Sequence, residues 1–133
     1  MIPKHATEES EALTNRARKV ELIDANGQCY ALVEGIEAPS PPWSAERFDI
    51  LIVIPALYPE AGLDGFYIGL PYKYKDGTHE KIRDGAEIEI RGRKWKQVSW
   101  HYLDGKQWRK SVDSLETHIV HCHGFFRARG VKP

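Results

Sequence analysis

Residues 48–59, FDILIVIPALYP, constrain the fold more than any other segment of the chain. Six of the seven residues from Ile50 to Ala56 are apolar, and several are β-branched, which is typical of a strand covered on both faces. Such a strand needs neighbours on both sides and a further layer packed over it. We therefore predict a central strand here, followed by a turn at Tyr58-Pro59 in which both residues have a structural role.

Turn signals divide much of the remaining chain into hairpins. Asn26-Gly27 lies between two β-type runs, and this dipeptide favours a type I′ turn because both residues tolerate a positive φ. A second hairpin is predicted across Arg91-Gly92. The segment GFYIGLPY is a further strand, and residues 73–85 are polar and glycine-punctuated, as expected of an excursion on the surface. The proline-rich residues 37–43 form a connection.

Two segments have the composition of helices. Residues 7–19 carry acidic residues early and basic residues late, which complements the helix dipole and predicts a short surface helix. Near the other end, Asp113 and Glu116 have the spacing of a capping box and predict a helix that runs to Gly124. This helix has one apolar stripe that should face the core, made of Leu115, Ile119, Cys122 and Phe126.

The order of these elements predicts an α+β domain. An N-terminal helix, an antiparallel β-meander of four or more strands and a C-terminal core helix follow one another, without alternating β and α units. The 133 residues, 41% of them hydrophobic, suit one domain. We expect residues 1–6 to be a flexible tail and residues 127–133 to be a C-terminal tail.

The charge balance argues against two classes of partner. Lys+Arg and Asp+Glu each number 19, so no field of the whole molecule attracts nucleic acid or an acidic membrane. RGRKWK and QWRK interleave basic and aromatic residues, but their acidic neighbours favour a protein partner over stacked bases. No apolar run approaches the roughly 20 residues of a membrane span, and the first residues lack the apolar stretch of a signal peptide. We expect a cytoplasmic protein that binds neither nucleic acid nor membrane.

Cysteine and histidine usage gives no indication of a metal site. Cys29 and Cys122 stand far apart, which fits neither a disulfide framework nor a metal knuckle. His118, His121 and His123 are close to Cys122 in sequence, but a helix turns about 100° per residue and spreads them around its axis. We therefore expect no metal and no cofactor, and we interpret Cys122 as a core residue.

The stretch WKQVSWH, residues 95–101, carries the best candidates for chemistry. In extended chain, residues two apart point to the same side, so Ser99 and His101 can face one cleft. Histidine has the unperturbed pKa best suited to removing the proton of a serine hydroxyl during attack. The alternative is that Ser99 is a polar strand residue, that His101 lies on the surface, and that Trp95 and Trp100 only pack.

Several landmarks occur in a recognisable order along the chain. A strand ends in Leu57-Tyr58-Pro59-Glu60 and another begins at Phe66. A W-x-x-x-S-x-H, W, D-x-L-x-T series follows, which here is Trp95, Ser99, His101, Trp108, Asp113, Leu115 and Thr117. Over residues 45–126 this order resembles ubiquitin-conjugating (UBC-like) domains, and most closely the bacterial group called prokaryotic UBC family E.

The resemblance implies a carrier in a ubiquitin-like conjugation pathway. Its partners would be a ubiquitin-like protein and a ThiF-like activating enzyme, with a deconjugating peptidase in the same pathway. Familiar UBC-like members carry the modifier as a thioester on a cysteine, whose position corresponds here to Trp100. The His-Pro-Asn signature that usually precedes the nucleophile is replaced by Glu89-Ile90-Arg91. Both departures argue against thioester chemistry in this chain.

Two hypotheses of different classes follow. In the first, the chain is a transferase in which Ser99 accepts the modifier's C-terminal carboxyl as an oxyester and His101 acts as general base. The groove around them would be supported by Trp95, Trp100, Trp108 and Asp113. In the second, the chain is a non-catalytic UBC-like module that docks the ubiquitin-like protein or its activating enzyme.

Overall fold

The computed structural model describes residues 2–16, 18–101, 108–109 and 112–128. Six strands form one antiparallel sheet in the order β1-β2-β3-β4-β6-β5, and a helix lies at each end of the chain. The elements are α1 (Lys4–Asn15), β1 (Val20–Ala25), β2 (Gln28–Glu37), β3 (Arg47–Ile54), β4 (Phe66–Gly69), β5 (Ile82–Ile90), β6 (Arg93–Val98) and α2 (Leu115–Arg127). The α+β class and the order of elements are confirmed.

Strand β3 is the predicted central strand. It pairs with β2 along most of its length and with β4 on its other side, so its backbone groups are satisfied within the sheet. Ile50 and Ile52 belong to the main core cluster together with residues of α2, whereas Leu51 belongs to a second cluster with Tyr30 and Trp95. Because neighbouring residues of a strand point to opposite faces, both faces of β3 are covered.

Both predicted hairpins are present. Asn26 and Gly27 have φ values of 54° and 75°, and Arg91 and Gly92 have φ values of 56° and 72°. Each two-residue turn directly joins paired strands, β1 to β2 and β5 to β6. Strand β5 begins at Ile82, inside the predicted surface excursion, because the buried Ile82 side chain and its pairing with Val98 extend the sheet.

Helix α1 differs from its predicted bounds. It runs from Lys4 to Asn15 instead of residues 7–19, so residues 4–6, which were expected in a tail, form its first turn. The fixed φ of Pro3 suits a helix entrance, and the fully buried Ala6 side chain anchors this turn in the core. The predicted C-terminal tail begins within α2 at Arg127, and its residues 129–133 lie outside the described residues.

Helix α2 has its predicted buried stripe but a different cap. The capping residue is Ser114, whose hydroxyl accepts from the Thr117 backbone N–H, while the Thr117 hydroxyl accepts from the Ser114 N–H. Asp113 instead accepts from the backbone N–H of Arg109. The apolar stripe is confirmed, because each of its members is at least 96% buried: Leu115, Ile119, Cys122 and Phe126.

Candidate functional site

Ser99 and His101 lie next to each other just after β6, and a third polar side chain joins them. The Ser99 Oγ is 3.3 Å from Nε2 of His101. On the other side of the imidazole ring, Nδ1 lies 3.0 Å and 3.1 Å from the two carboxylate oxygens of Asp64. Asp64 precedes β4, so the arrangement is built from two separate segments of the chain. A hydroxyl, an imidazole and a carboxylate in this order have the relative placement of a serine nucleophile, its base and the group that orients the base.

The site is open to solvent. The side chains of His101 and Asp64 are both 60% exposed, and Ser99 is half-buried. The 3.3 Å separation between the Ser99 Oγ and His101 Nε2 is long for a strong hydrogen bond. The Ser99 hydroxyl and the His101 imidazole are therefore reached from solvent without a rearrangement of the core.

The backbone of the Ser99–His101 segment is anchored on both sides. The Ser99 N–H donates to the carbonyl of Lys81 at 2.7 Å, which continues the contact between β6 and β5. Trp100 is buried between the half-buried Ser99 and the exposed His101, and its indole N–H donates to the carbonyl of His121 in α2 at 2.9 Å. Trp100 therefore fixes the segment to the helix while Ser99 and His101 remain accessible.

The loop that carries Asp64 is held by Trp108. The indole N–H of Trp108 donates to the Pro59 carbonyl at 2.9 Å, and its ring packs against the ring of Tyr58. A Cβ placed on Gly62 would overlap the Trp108 ring, so glycine is required for this close approach. Trp108 thus supports the site from the side of the loop.

Tyr58 and Pro59 form the turn after β3, as predicted. The Tyr58 hydroxyl donates to the carboxylate of Glu9 in α1, and the same carboxylate accepts from the backbone N–H of Leu115 at 3.3 Å. This one side chain of α1 therefore links the turn to the first residue of α2.

A buried histidine holds the other end of the same loop. His118 of α2 is fully buried, and its Nε2–H donates to the carbonyl of Gly65 at 2.9 Å. Burial lowers the pKa of His118 to about 4, because the charged form would lose its hydration, and the Gly65 carbonyl only partly offsets this. Burial also lowers the pKa of His121, one turn further along α2. Near neutral pH, both are neutral structural residues.

Trp95 and Asp113 were also predicted to support the groove. Trp95 belongs to the core cluster of Tyr30 and Leu51, on the sheet face that points away from α2, and the Arg93 guanidinium lies 4.7 Å from its ring centroid. The strand alternation places it there, because Val98, three residues on, faces the main core, and Trp95 packs the second face of the sheet. The Asp113 carboxylate accepts from the backbone N–H of Arg109.

Both thiols of the chain are inaccessible. Cys29 is buried in β2, and burial, followed by the nearby Asp24, raises the pKa of its thiol. Cys122 is fully buried in α2, and burial raises the pKa of its thiol well above the usual value. Neither can serve as the carrier in this conformation, because a thioester requires a thiolate that the acyl donor can reach.

The histidines and Cys122 of α2, all among the described residues, do not form a metal site. Among the described residues, no group of three or more histidine, cysteine, aspartate or glutamate side chains is arranged to hold a metal ion. A cavity of about 1030 Å³ lies between the proline-rich connection and the end of α2, and none of the candidate site residues lines it.

The basic residues of RGRKWK are all paired with carboxylates. Each of the four makes an ion pair with a different strand residue: Arg91 with Glu21, Arg93 with Asp49, Lys94 with Glu87 and Lys96 with Asp84. These pairs compensate the positive charge of the segment locally.

Asp64 is the site residue that the sequence did not indicate. It is separated from His101 by 37 positions and belongs to no periodic pattern. The only local signal is its place directly before Gly65, which adopts a positive φ of 63° at the entrance to β4.

The fold and its site define a UBC-like α+β domain without an accessible cysteine. The family model for prokaryotic E2 family E matches residues 6–127. The chain belongs to this family, and the match includes most of α1 and all of β1 and β2, as well as the landmarks of the resemblance. The comparisons with curated proteins and with solved structures gave no significant match.

Membership in this family gives the chain a role in prokaryotic ubiquitin-like conjugation, with a ubiquitin-like protein and an activating enzyme as the kinds of partner. Neither helix among the described residues is long and apolar enough to cross a membrane.

Proposed function

We propose that this protein is a transferase that carries a ubiquitin-like protein as an oxyester on Ser99, with His101 as general base. The observation that carries the proposal is the 3.3 Å contact between the Ser99 hydroxyl and His101 Nε2 at a solvent-open position. The burial of both thiols supports it further, since it leaves no cysteine to take this role. Family membership indicates the ubiquitin-like conjugation pathway, and the Ser99 and His101 side chains indicate the chemistry of acyl transfer.

The reaction has two acyl transfers. The activating enzyme presents the modifier's C-terminal carboxyl as an acyl adenylate or a thioester, and the Ser99 Oγ attacks its carbonyl carbon. As the C–O bond forms, the serine proton moves to His101 Nε2, and the imidazolium then protonates the departing AMP or thiol. In the second transfer a target lysine amine attacks the ester carbonyl carbon and gives a proton to His101. The C–O bond to Ser99 then breaks as His101 passes that proton to the serine oxygen. General-base assistance is needed because a serine hydroxyl is a poor nucleophile at neutral pH.

The chemical stability of the adduct tests this function. The protein is incubated with its activating enzyme, the ubiquitin-like protein and ATP, and the products are treated separately with thiol reductant and with mild alkali. We expect an adduct that survives reductant, is cleaved by alkali and maps to Ser99 by mass spectrometry. Ser99→Ala should abolish it, Ser99→Cys should convert it to a reductant-sensitive thioester, and the exposed control Ser40→Ala should leave it unchanged.

The alternative is the non-catalytic docking module, and the same experiment distinguishes it. Binding of the ubiquitin-like protein or its activating enzyme without any covalent adduct would favour that module. Wild-type adduct formation by Ser99→Ala would exclude Ser99 as the carrier.

A further inference from the structure

Asp64 makes the most specific polar contact of the candidate site. Both of its carboxylate oxygens lie within 3.1 Å of His101 Nδ1, while the opposite ring nitrogen faces Ser99. A carboxylate accepts hydrogen bonds and cannot donate them when ionised. Its approach to Nδ1 therefore selects the neutral tautomer with the proton on Nδ1 and leaves the Nε2 lone pair directed at the Ser99 hydroxyl.

We propose that Asp64 is a positioning residue that sets the tautomer and orientation of His101 for proton removal from Ser99. The inference rests on the proposed function for its role in transfer, but the geometry that it explains is independent of any partner. Asp64 also places a negative charge beside the imidazolium that forms during attack. Since the pair is open to solvent, we expect its contribution to be smaller than the roughly 10⁴-fold effect seen where such a carboxylate is buried.

The loop is built to hold Asp64 in place. On one side of it, Trp108 covers Gly62, and on the other side the buried His118 binds the Gly65 carbonyl. Leu63 between them is buried in the main core. An exposed histidine–aspartate pair contributes little to stability, so the fold gains little from the Asp64 contact itself. A fixed backbone under an exposed carboxylate is instead what precise orientation of a base requires.

Two measurements on the full chain test the role of Asp64. The first is the ring tautomer of His101, read by long-range ¹H–¹⁵N NMR at a pH where the ring is neutral. The second is the rate at which a small fluorophosphonate labels Ser99, which needs no partner protein. We compare Asp64→Asn with Asp84→Asn, a matched change at an exposed acid of β5 that pairs with Lys96 of β6.

We expect the wild-type ring to carry its proton on Nδ1. Asp64→Asn should shift the population toward the Nε2–H tautomer, because an amide can also donate to Nδ1. The same variant should label about 10–10²-fold more slowly, with Asp84→Asn near wild type and Asp64→Glu partly restored. A purely structural role of Asp64 would change the melting temperature without moving the tautomer.

The two proposals fail separately. A Ser99 oxyester that forms equally well in Asp64→Asn, with an unchanged tautomer, would overturn the role of Asp64 and leave the transferase intact. Tautomer and labelling effects without any oxyester would support Asp64 and contradict the transferase. If Asp64→Asn does not fold, the wild-type tautomer decides, because a predominant Nε2–H form would by itself overturn the proposal.

Discussion

Two histidines bind adjacent residues of the same loop from opposite sides. His118 binds the Gly65 carbonyl from inside the core and is fully buried, whereas His101 contacts the Asp64 carboxylate from outside with its side chain 60% exposed. A histidine on the buried face of α2 and a histidine in the Ser99–His101 segment therefore have different roles. Burial keeps His118 neutral, so that it supports the loop, while exposure leaves His101 available to a substrate. Substitutions in the first region should change stability, and those in the second should change reactivity.

Among substitutions that leave the Ser99 hydroxyl in place, the largest effect should come from His101→Ala. Loss of a general base typically slows a reaction about 10²–10⁴-fold, so a time course of adduct formation should show it clearly. The melting temperature should hardly change, since the side chain is exposed. The control is His123→Ala, which changes a partly exposed histidine in the second half of α2 and should leave the rate of adduct formation unchanged. Equal rates of adduct formation for the two variants would contradict the role of His101 as general base.

Ile119→Ala should have the largest effect on stability. The side chain is buried among the core residues of α2, and its truncation should cost about 2–5 kcal/mol through lost burial and a residual cavity. Urea unfolding measures this cost. Val120→Ala changes the neighbouring residue, which is 66% exposed, and should stay within about 0.5 kcal/mol of wild type. A loss for Ile119→Ala as small as that of Val120→Ala would contradict the placement of this face in the core.

His118→Gln should flatten the acid side of the stability profile. The folded pKa of His118, about 4, is below the ordinary histidine value of 6.5, so the unfolded state binds more protons between these values. Stability from this group is therefore fully present above about pH 6.5 and is lost as the pH falls toward 4, by about 3 kcal/mol.

Glutamine keeps a donor for the Gly65 carbonyl but does not titrate. Unfolding free energies measured from pH 7 to pH 4 should fall less steeply in the variant, although His79 and His121, whose pKa values burial also lowers, still contribute. An identical slope in both proteins would show that His118 is not held neutral by burial.

The smallest effect should come from Ser114→Ala. Loss of the cap should cost about 0.5–2 kcal/mol, because the Thr117 N–H loses its partner at the start of α2. The rate of adduct formation, normalised to folded protein, should not change, since neither His118 nor His101 is touched. A rate loss comparable to that of His101→Ala would mean that the two regions are not separable.

The sequence determined the features that short-range physics encodes. Asn26-Gly27 specified a hairpin because both residues accept a positive φ, and the apolar run at Ile50 specified a strand covered on both faces. The alternation of extended chain also placed Ser99 and His101 on the same side, where the Ser99 Oγ lies 3.3 Å from His101 Nε2. The cap of α2 shows the limit of such signals, because Asp113 and Ser114 both suit an N-cap and only the hydrogen bonds to Thr117 select Ser114.

Only the tertiary structure decided what surrounds these elements. Trp95 faces the second core cluster because the register of β6 against β4 and β5 points it away from α2. Asp64 meets His101 across 37 residues because the adjacent strands β4 and β6 bring their loops to the same place. A turn fixes the register of a hairpin, but no hairpin turn joins β4 to β6, so their register depends on the packing of the sheet against α2.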